Sequence, residues 1–274
     1  MVAVQLMPAR PALPVAPYLG GKRNLAKRVI ERLAEIPHET YVEPFVGMGG
    51  VFLRRPFKAR AEVINDLSGD VAGLFRVLQR HYAAFLDMLR WQITSRAEFE
   101  RLSATDPATL TDLERAARFL YLQRTTFGGK VAGRSFGVSV TTGARFNISR
   151  LASILEDVHD RLAGVVIERL RWPELLRRYD RPGTLFYLDP PYWGCETDYG
   201  AGMFGREEFA HLAEALPALQ GQFLLSLNDR PEVRALFKGC AIEAVSATYR
   251  ISGAATAAGE LLISKRPKRT SGAS

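Results

Sequence analysis

The chain has 274 residues, 47% of them hydrophobic and 24% charged, a balance that builds a sizeable core and excludes general disorder. Its formal net charge of +8 favours a polyanionic partner, although charge alone does not separate a nucleic-acid surface from a solvated basic face. Cys195 and Cys240 are too few and too far apart for a metal cluster or a disulfide framework, and the apolar stretches are too short for a membrane span, so a soluble intracellular protein is expected.

Residues 1–17, rich in Ala, Pro and Val without periodicity, are expected to be a flexible segment, and 265–274 a flexible basic tail. Between them, short apolar runs rich in β-branched and aromatic residues read as buried strands at 41–45, 61–65, 165–170, 185–189, 223–227, 241–249 and 260–264. Helix-period segments separate them. That alternation predicts an α/β protein with a mostly parallel sheet covered on both faces. It breaks over residues 71–164, where helical periodicity dominates and much of the basic excess lies, including Arg118, Arg124, Lys130, Arg134 and Arg145. This stretch reads as an insertion.

The sharpest motif is Asp189-Pro190-Pro191-Tyr192 at the end of the run from Leu185. Transfer of a methyl group to an exocyclic amine requires the nitrogen lone pair to face the methyl. A carboxylate and a carbonyl that both accept from the amine orient it and withdraw its conjugation with the ring. Asp189 supplies the carboxylate, and the Pro190 backbone supplies the carbonyl on a turn that proline stiffens. Tyr192 offers a face on which an extruded base can stack, and Trp193 and Tyr199 are further candidates for the pocket wall. Out of context the same four residues are also an ordinary turn after a strand.

A glycine loop, Glu43-Pro44-Phe45-Val46-Gly47-Met48-Gly49-Gly50, follows the first predicted strand. Glycines there let the backbone approach a ligand closely, at the strand ends where open α/β sheets bind their ligands. The loop lacks both the dinucleotide fingerprint and the Lys-Ser/Thr ending of a phosphate loop. Asp66, after the second strand and roughly 20 residues beyond the loop, suits a ribose-binding carboxylate; alternatively it is a helix cap. The four histidines, His38, His81, His159 and His211, show no metal spacing and are expected at the surface, and Cys195 reads as a small filler.

Taken in order, Tyr18-Leu19-Gly20-Gly21-Lys22-Arg23, the Phe45 loop, Asp66, the basic insertion, the Asp189 motif, Ser226-Leu227-Asn228-Asp229 and Glu260-Leu261-Leu262-Ile263-Ser264 make the chain resemble the Dam-type (alpha-class) DNA adenine-N6 methyltransferases. The resemblance runs from about Tyr18 to Ser264. It implies a Rossmann-like sheet that binds S-adenosylmethionine (SAM), made of residues 18–70 and 165–264, with residues 71–164 as an inserted helical target-recognition domain. It also implies that Tyr18, Gly20, Lys22, Glu43, Phe45, Gly47, Gly49, Asp66 and Asp189 surround SAM, with Lys22 closing the site, Phe45, Gly47 and Gly49 around the methionine part and Asp66 on the ribose. Asp189, Pro190, Pro191 and Tyr192 would hold a flipped adenine. Arg124-Thr125-Thr126-Phe127-Gly128-Gly129-Lys130 resembles the family's recognition segment, which makes Arg124 a guanine reader, a phosphate contact or a member of a surface ion pair, and Lys130 and Arg134 phosphate contacts.

The implied partner is double-stranded DNA. No metal or membrane is implied; a partner restriction nuclease remains open, and the protein is expected to be a monomer in a bacterial cytoplasm or encoded by a phage. Transfer to cytosine N4 and a catalytically silent SAM- and DNA-binding module are the alternatives. One position departs from the pattern. After the third strand the chain reads Leu170-Arg171-Trp172-Pro173, which assigns no residue to the cofactor's adenine edge.

Overall fold

The computed structural model describes residues 6–18, 25–131, 133–137, 143–196, 202, 204–251 and 254–266. Gly20, Lys22 and Tyr199 lie outside the described residues. The chain opens with β1 (Met7–Pro8), followed by α1 (Ala26–Glu35), β2 (Thr40–Glu43), β3 (Phe57–Lys58) and β4 (Ala61–Asn65). Five helices come next: α2 (Gly69–Arg80), α3 (Tyr82–Arg90), α4 (Arg96–Ala104), α5 (Asp112–Thr125) and α6 (Ile148–Arg161). The remainder alternates as β5 (Val166–Glu168), α7 (Trp172–Tyr179), β6 (Thr184–Leu188), α8 (Glu208–Ala218), β7 (Gln222–Asn228), α9 (Pro231–Leu236), β8 (Ala241–Ile251) and β9 (Ala254–Ser264).

Seven strands form one sheet in the order β5-β4-β2-β6-β7-β9-β8. β5, β4, β2, β6 and β7 are parallel, and β9 runs antiparallel between β7 and β8. The chain works outward from β2 to β5, then returns to the other side of β2 as β6. The strand order therefore reverses between β2 and β6, the place where open α/β sheets leave a crevice at their carboxyl ends.

The period-2 alternation of side chains explains the layering. Along β6, Leu185 and Tyr187 face one layer, and Phe186 and Leu188 face the other. The second layer is closed by Leu175 of α7, Phe209 and Leu212 of α8 and Val233 of α9. The first is closed by Val29 and Leu33 of α1 together with Phe75, Phe85, Leu120 and Leu155 of the insertion helices. One continuous core thus joins the sheet to residues 71–164. Helix α5 is held at its start by a capping box, Thr111 with Glu114, and is buried almost all round from Ala116 to Gln123, the pattern of a helix at the centre of its layer.

Two segments expected to be flexible are tied down over their described parts. Within residues 1–17, β1 pairs with β3, Ala12, Val15 and Ala16 are buried, and the Ala12 N–H donates to the Leu53 carbonyl at 2.8 Å. At the other end, Lys265 donates to the Leu219 and Gly221 carbonyls, and Arg266 to those of Cys240 and Lys238. His38 departs from its expected surface position. It is buried, its Nδ1 lies 2.7 Å from the Ile36 carbonyl, and burial lowers its pKa. The edge strand β5 is shorter than 165–170 because the Leu170 N–H leaves the sheet for the Asn65 side chain. The β8–β9 hairpin is longer than expected, its start hidden in the Ala-rich stretch from Ala254, whose residues have weak strand preference. No helix among the described residues is long and apolar enough to cross a membrane.

Candidate active site

A cleft of about 540 Å³ opens over the carboxyl ends of β2, β4 and β6. Its floor is the loop after β2. Gly47 and Gly49 have φ of 51° and 73°, values that side chains disfavour. A Cβ on Gly49 would lie 2.8 Å from Leu53 Cγ, and one on Gly47 would lie 3.0 Å from the Tyr18 ring. Asp66 pins the loop from the next strand. Its Oδ2 accepts from the Gly47 N–H at 3.0 Å and its Oδ1 from the Ser68 N–H at 2.9 Å. Desolvation nevertheless raises its pKa to about 6. Beside it, buried Asn65 donates to the Pro44 and Leu170 carbonyls at 2.8 and 3.1 Å and accepts from the Leu170 N–H at 2.7 Å. One amide side chain thereby joins the ends of three strands.

Glu43, at the end of β2, is buried and accepts from the Tyr41 hydroxyl at 2.6 Å. Desolvation, reinforced by the nearby Asp189 charge, pushes its pKa up to about 8 against the opposing Tyr41 bond, so it is mainly a neutral acid at pH 7. Behind it the fully buried Arg55 lies with its guanidinium 3.6 Å from the centre of the Tyr41 ring. Arg55 shares the Glu62 carboxylate with Arg161 of α6, which anchors the insertion to β4.

Across the cleft, β6 ends in Asp189, followed by the buried Pro190 and Pro191. Ser226 of β7 donates its hydroxyl to Asp189 Oδ1 at 2.9 Å, and its Oγ lies 3.0 Å from the Tyr187 hydroxyl. Tyr192 is half-buried, packs against the second core layer and is hydrogen-bonded to Glu260 of β9. Asn228 accepts from the Trp193 N–H and donates to the Trp193 carbonyl, both at 3.0 Å.

The model of the D12 class N6 adenine-specific DNA methyltransferases matches residues 18–251. The chain belongs to this family. Among its relatives, the type II methyltransferase M.CviBI of Paramecium bursaria Chlorella virus NC1A is 24% identical over 229 residues, covering 82% of this chain and 86% of the relative. The type II methyltransferase M1.LlaDCHI of Lactococcus lactis subsp. cremoris is 26% identical over 259 residues, covering 88% and 89%. A DNA adenine methylase of Vibrio cholerae serotype O1 is 24% identical over 253 residues, covering 86% and 88%. The protein is therefore an adenine-specific DNA methyltransferase whose substrate is DNA, and the family implies SAM as methyl donor.

Of the residues singled out in the sequence of this methyltransferase, Tyr18, Glu43, Phe45, Gly47, Asp66, Asp189 and Pro191 all line the one cleft. The residues present fit SAM: a loop that lines the cleft with bare backbone at Gly47, where an added Cβ would meet the Tyr18 ring, and a carboxylate at its edge. Arg124 lines the cleft too, but its guanidinium points inward. It donates to the Val15 carbonyl at 2.6 Å and twice to the Arg145 carbonyl at 3.2 Å. Arg134 bonds the Gln123 amide oxygen at 3.3 Å, whereas Lys130 is exposed.

Sequence reasoning missed Trp172, Phe204 and Glu208 as wall residues. The Trp172 indole donates to Glu208 at 2.8 Å, and the Phe204 ring meets Phe45 edge-on at 5.8 Å between centres. They border the position left unassigned at Leu170-Arg171, where the Leu170 N–H is already taken by Asn65. No local motif marks these residues, which meet only after α7 and α8 have packed on the sheet.

Proposed function

We propose that this methyltransferase moves the methyl group of SAM to N6 of an adenine swung out of double-stranded DNA and held beside Asp189. The observation that carries the reading is the position of the Asp189 carboxylate, fixed by Ser226, in the same cleft as the glycine loop and Asp66. SAM supplies an electrophilic methyl group on a sulfonium sulfur. Asp66 holds the ribose hydroxyls: each of its oxygens accepts one backbone N–H, and a carboxylate oxygen has room for a further donor. Gly47 and Gly49 admit the methionine part, and Phe45, Phe204 and Trp172 cover the adenosine from water.

At the other side of the cleft, Asp189 and the Pro190 carbonyl accept the two protons of the adenine amine, which turns its lone pair toward the methyl group. Asp189 need not remove a proton before transfer. The amine becomes positively charged as its new bond forms and then gives up a proton readily. Tyr192 supports the flipped base. The exposed Lys130 and the basic residues around it in the insertion contact phosphates, and Arg124 braces that segment against the cleft.

The test is incubation of the purified protein with plasmid DNA and isotope-labelled SAM, followed by nucleoside mass spectrometry and mapping of the modified positions. Labelled N6-methyladenine at a short fixed sequence is expected. Asp189→Ala is expected to lower the transfer rate by about a thousandfold while SAM affinity, read by calorimetry, stays near that of the parent. A fully active Asp189→Ala protein sinks this mechanism.

A further inference from the structure

Ser226 and Asn228 of β7 stand two residues apart, on the same side of their strand, and both serve the turn after β6. Leu188 pairs with Leu225, so one further step of register brings Ser226 opposite Asp189. Ser226 meets the near end of the turn at the Asp189 carboxylate, and Asn228 grips the far end through both backbone groups of Trp193.

The direction of the hydrogen bonds follows from counting protons. An ionised carboxylate only accepts, so Ser226 donates its single proton to Asp189 Oδ1 at 2.9 Å, in preference to the Leu188 carbonyl at 3.4 Å. The Ser226 oxygen is then left as the acceptor for the Tyr187 hydroxyl at 3.0 Å. Tyr187 is fully buried, and burial drives its pKa well above the ordinary value. It therefore stays protonated and available as a donor. Both Ser226 and Tyr187 are buried in the sheet, so the relay does not depend on a mobile side chain.

We propose that Ser226, oriented by Tyr187, is a positioning residue that holds the Asp189 carboxylate as a hydrogen-bond acceptor for the target amine, while Asn228 fixes the other end of the same turn. This inference rests on the role given to Asp189 above. It extends that role to two hydroxyls which need not touch either substrate.

Losing a donor to a carboxylate favours its protonated form, and a protonated Asp189 is a poor acceptor for the amine. Among the described residues, the groups that share its electrostatic surroundings include Tyr187 of β6, Glu43 of β2 and Tyr192 of the turn, with Glu260 of β9 acting on Tyr192. Glu43 titrates at about 8 and is neutral along the acidic side of the rate profile.

The experiment compares the parent with S226A, Y187F, S226A/Y187F and D189A, measuring SAM affinity, single-turnover rate and its pH profile. S226A is expected to slow transfer roughly tenfold to a hundredfold, the usual range for a lost hydrogen bond to a charged group. SAM affinity should stay near that of the parent, and the acidic limb of the profile should move to higher pH. Y187F, which keeps the Ser226 donor, should show a smaller slowing and a smaller displacement. The double variant leaves no orphaned hydroxyl and should match S226A, which keeps the test valid if S226A alone folds poorly. An S226A/Y187F protein with the parent's rate and acidic limb, alongside an inactive D189A, overturns this inference. A fully active D189A overturns the catalytic reading beneath it instead.

Discussion

The wall of the cleft made by strand ends and the wall made by α5 with the amino-terminal segment differ in how their polar groups are held. On the strand side, Asp66, Asn65 and Ser226 are short side chains at the end of β4 and on β7, bonded to backbone or carboxylate partners that the sheet register brings next to them. On the α5 side, Gln123 and Arg124 reach back to the Pro17 and Val15 carbonyls, more than 100 residues away in sequence. The first wall inherits its precision from the sheet. The second depends on long side chains clasping a segment that has almost no regular structure of its own.

The largest effect should come from the ion cluster that ties α6 to β4. Glu62→Ala leaves Arg55 and Arg161 buried without their carboxylate, and breaking a buried pair in this way costs about 3–5 kcal/mol. Denaturant midpoints should show that loss, and a change within error would mean that the cluster is not what anchors α6. Next, Gly49→Val forces a side chain into a left-handed backbone 2.8 Å from Leu53 Cγ. SAM binding should weaken at least tenfold while DNA binding in its absence is retained, because the strand-side wall has little room to yield.

Arg124→Met tests the other wall. It removes three bonds to carbonyls and should loosen the amino-terminal segment, seen as faster hydrogen exchange over residues 9–17, with a smaller loss of SAM affinity than Gly49→Val. Equal losses would erase the contrast between the walls.

A subtler effect concerns Glu43. Its folded pKa is raised from the ordinary 4.5 to about 8, so its stabilising contribution is complete below the ordinary value and is lost as pH rises through about 8. Unfolding free energies measured across that window should fall with pH, and Glu43→Gln should flatten the fall. The smallest effect is expected at the exposed Lys130, where Lys130→Ala should reduce the slope of log affinity against log salt by about 1 without altering sequence preference.

The same contrast explains what was legible in the sequence. The run from Leu185 to Asp189, the glycine loop and Asp66 could be placed because strand ends gather residues that local patterning identifies, and the structure sets them around one cleft. The α5-side wall was not legible, since residues 1–17 carry no periodicity and Ala12, Val15 and Pro17 are held by Leu53, Arg124 and Gln123 from elsewhere in the chain. The sequence neighbourhood of Arg124 suggests a contact to DNA or a surface ion pair, and no local signal announces the bonds of its guanidinium to the Val15 and Arg145 carbonyls. Ser226 lay in a recognised motif, but its bond to Asp189 becomes apparent only from the register of β6 against β7.

The core that Tyr41, Ile64 and Leu185 share with Phe75, Leu120 and Leu155 also bears on how this protein can be re-engineered. A region with its own interior can be transplanted between proteins as a cassette, whereas lifting residues 71–164 out of this chain would strip much of one face of the sheet and expose it to water. Variants of the insertion are therefore better made by changing its solvent-facing residues one at a time, with the side chains that roof the sheet left in place.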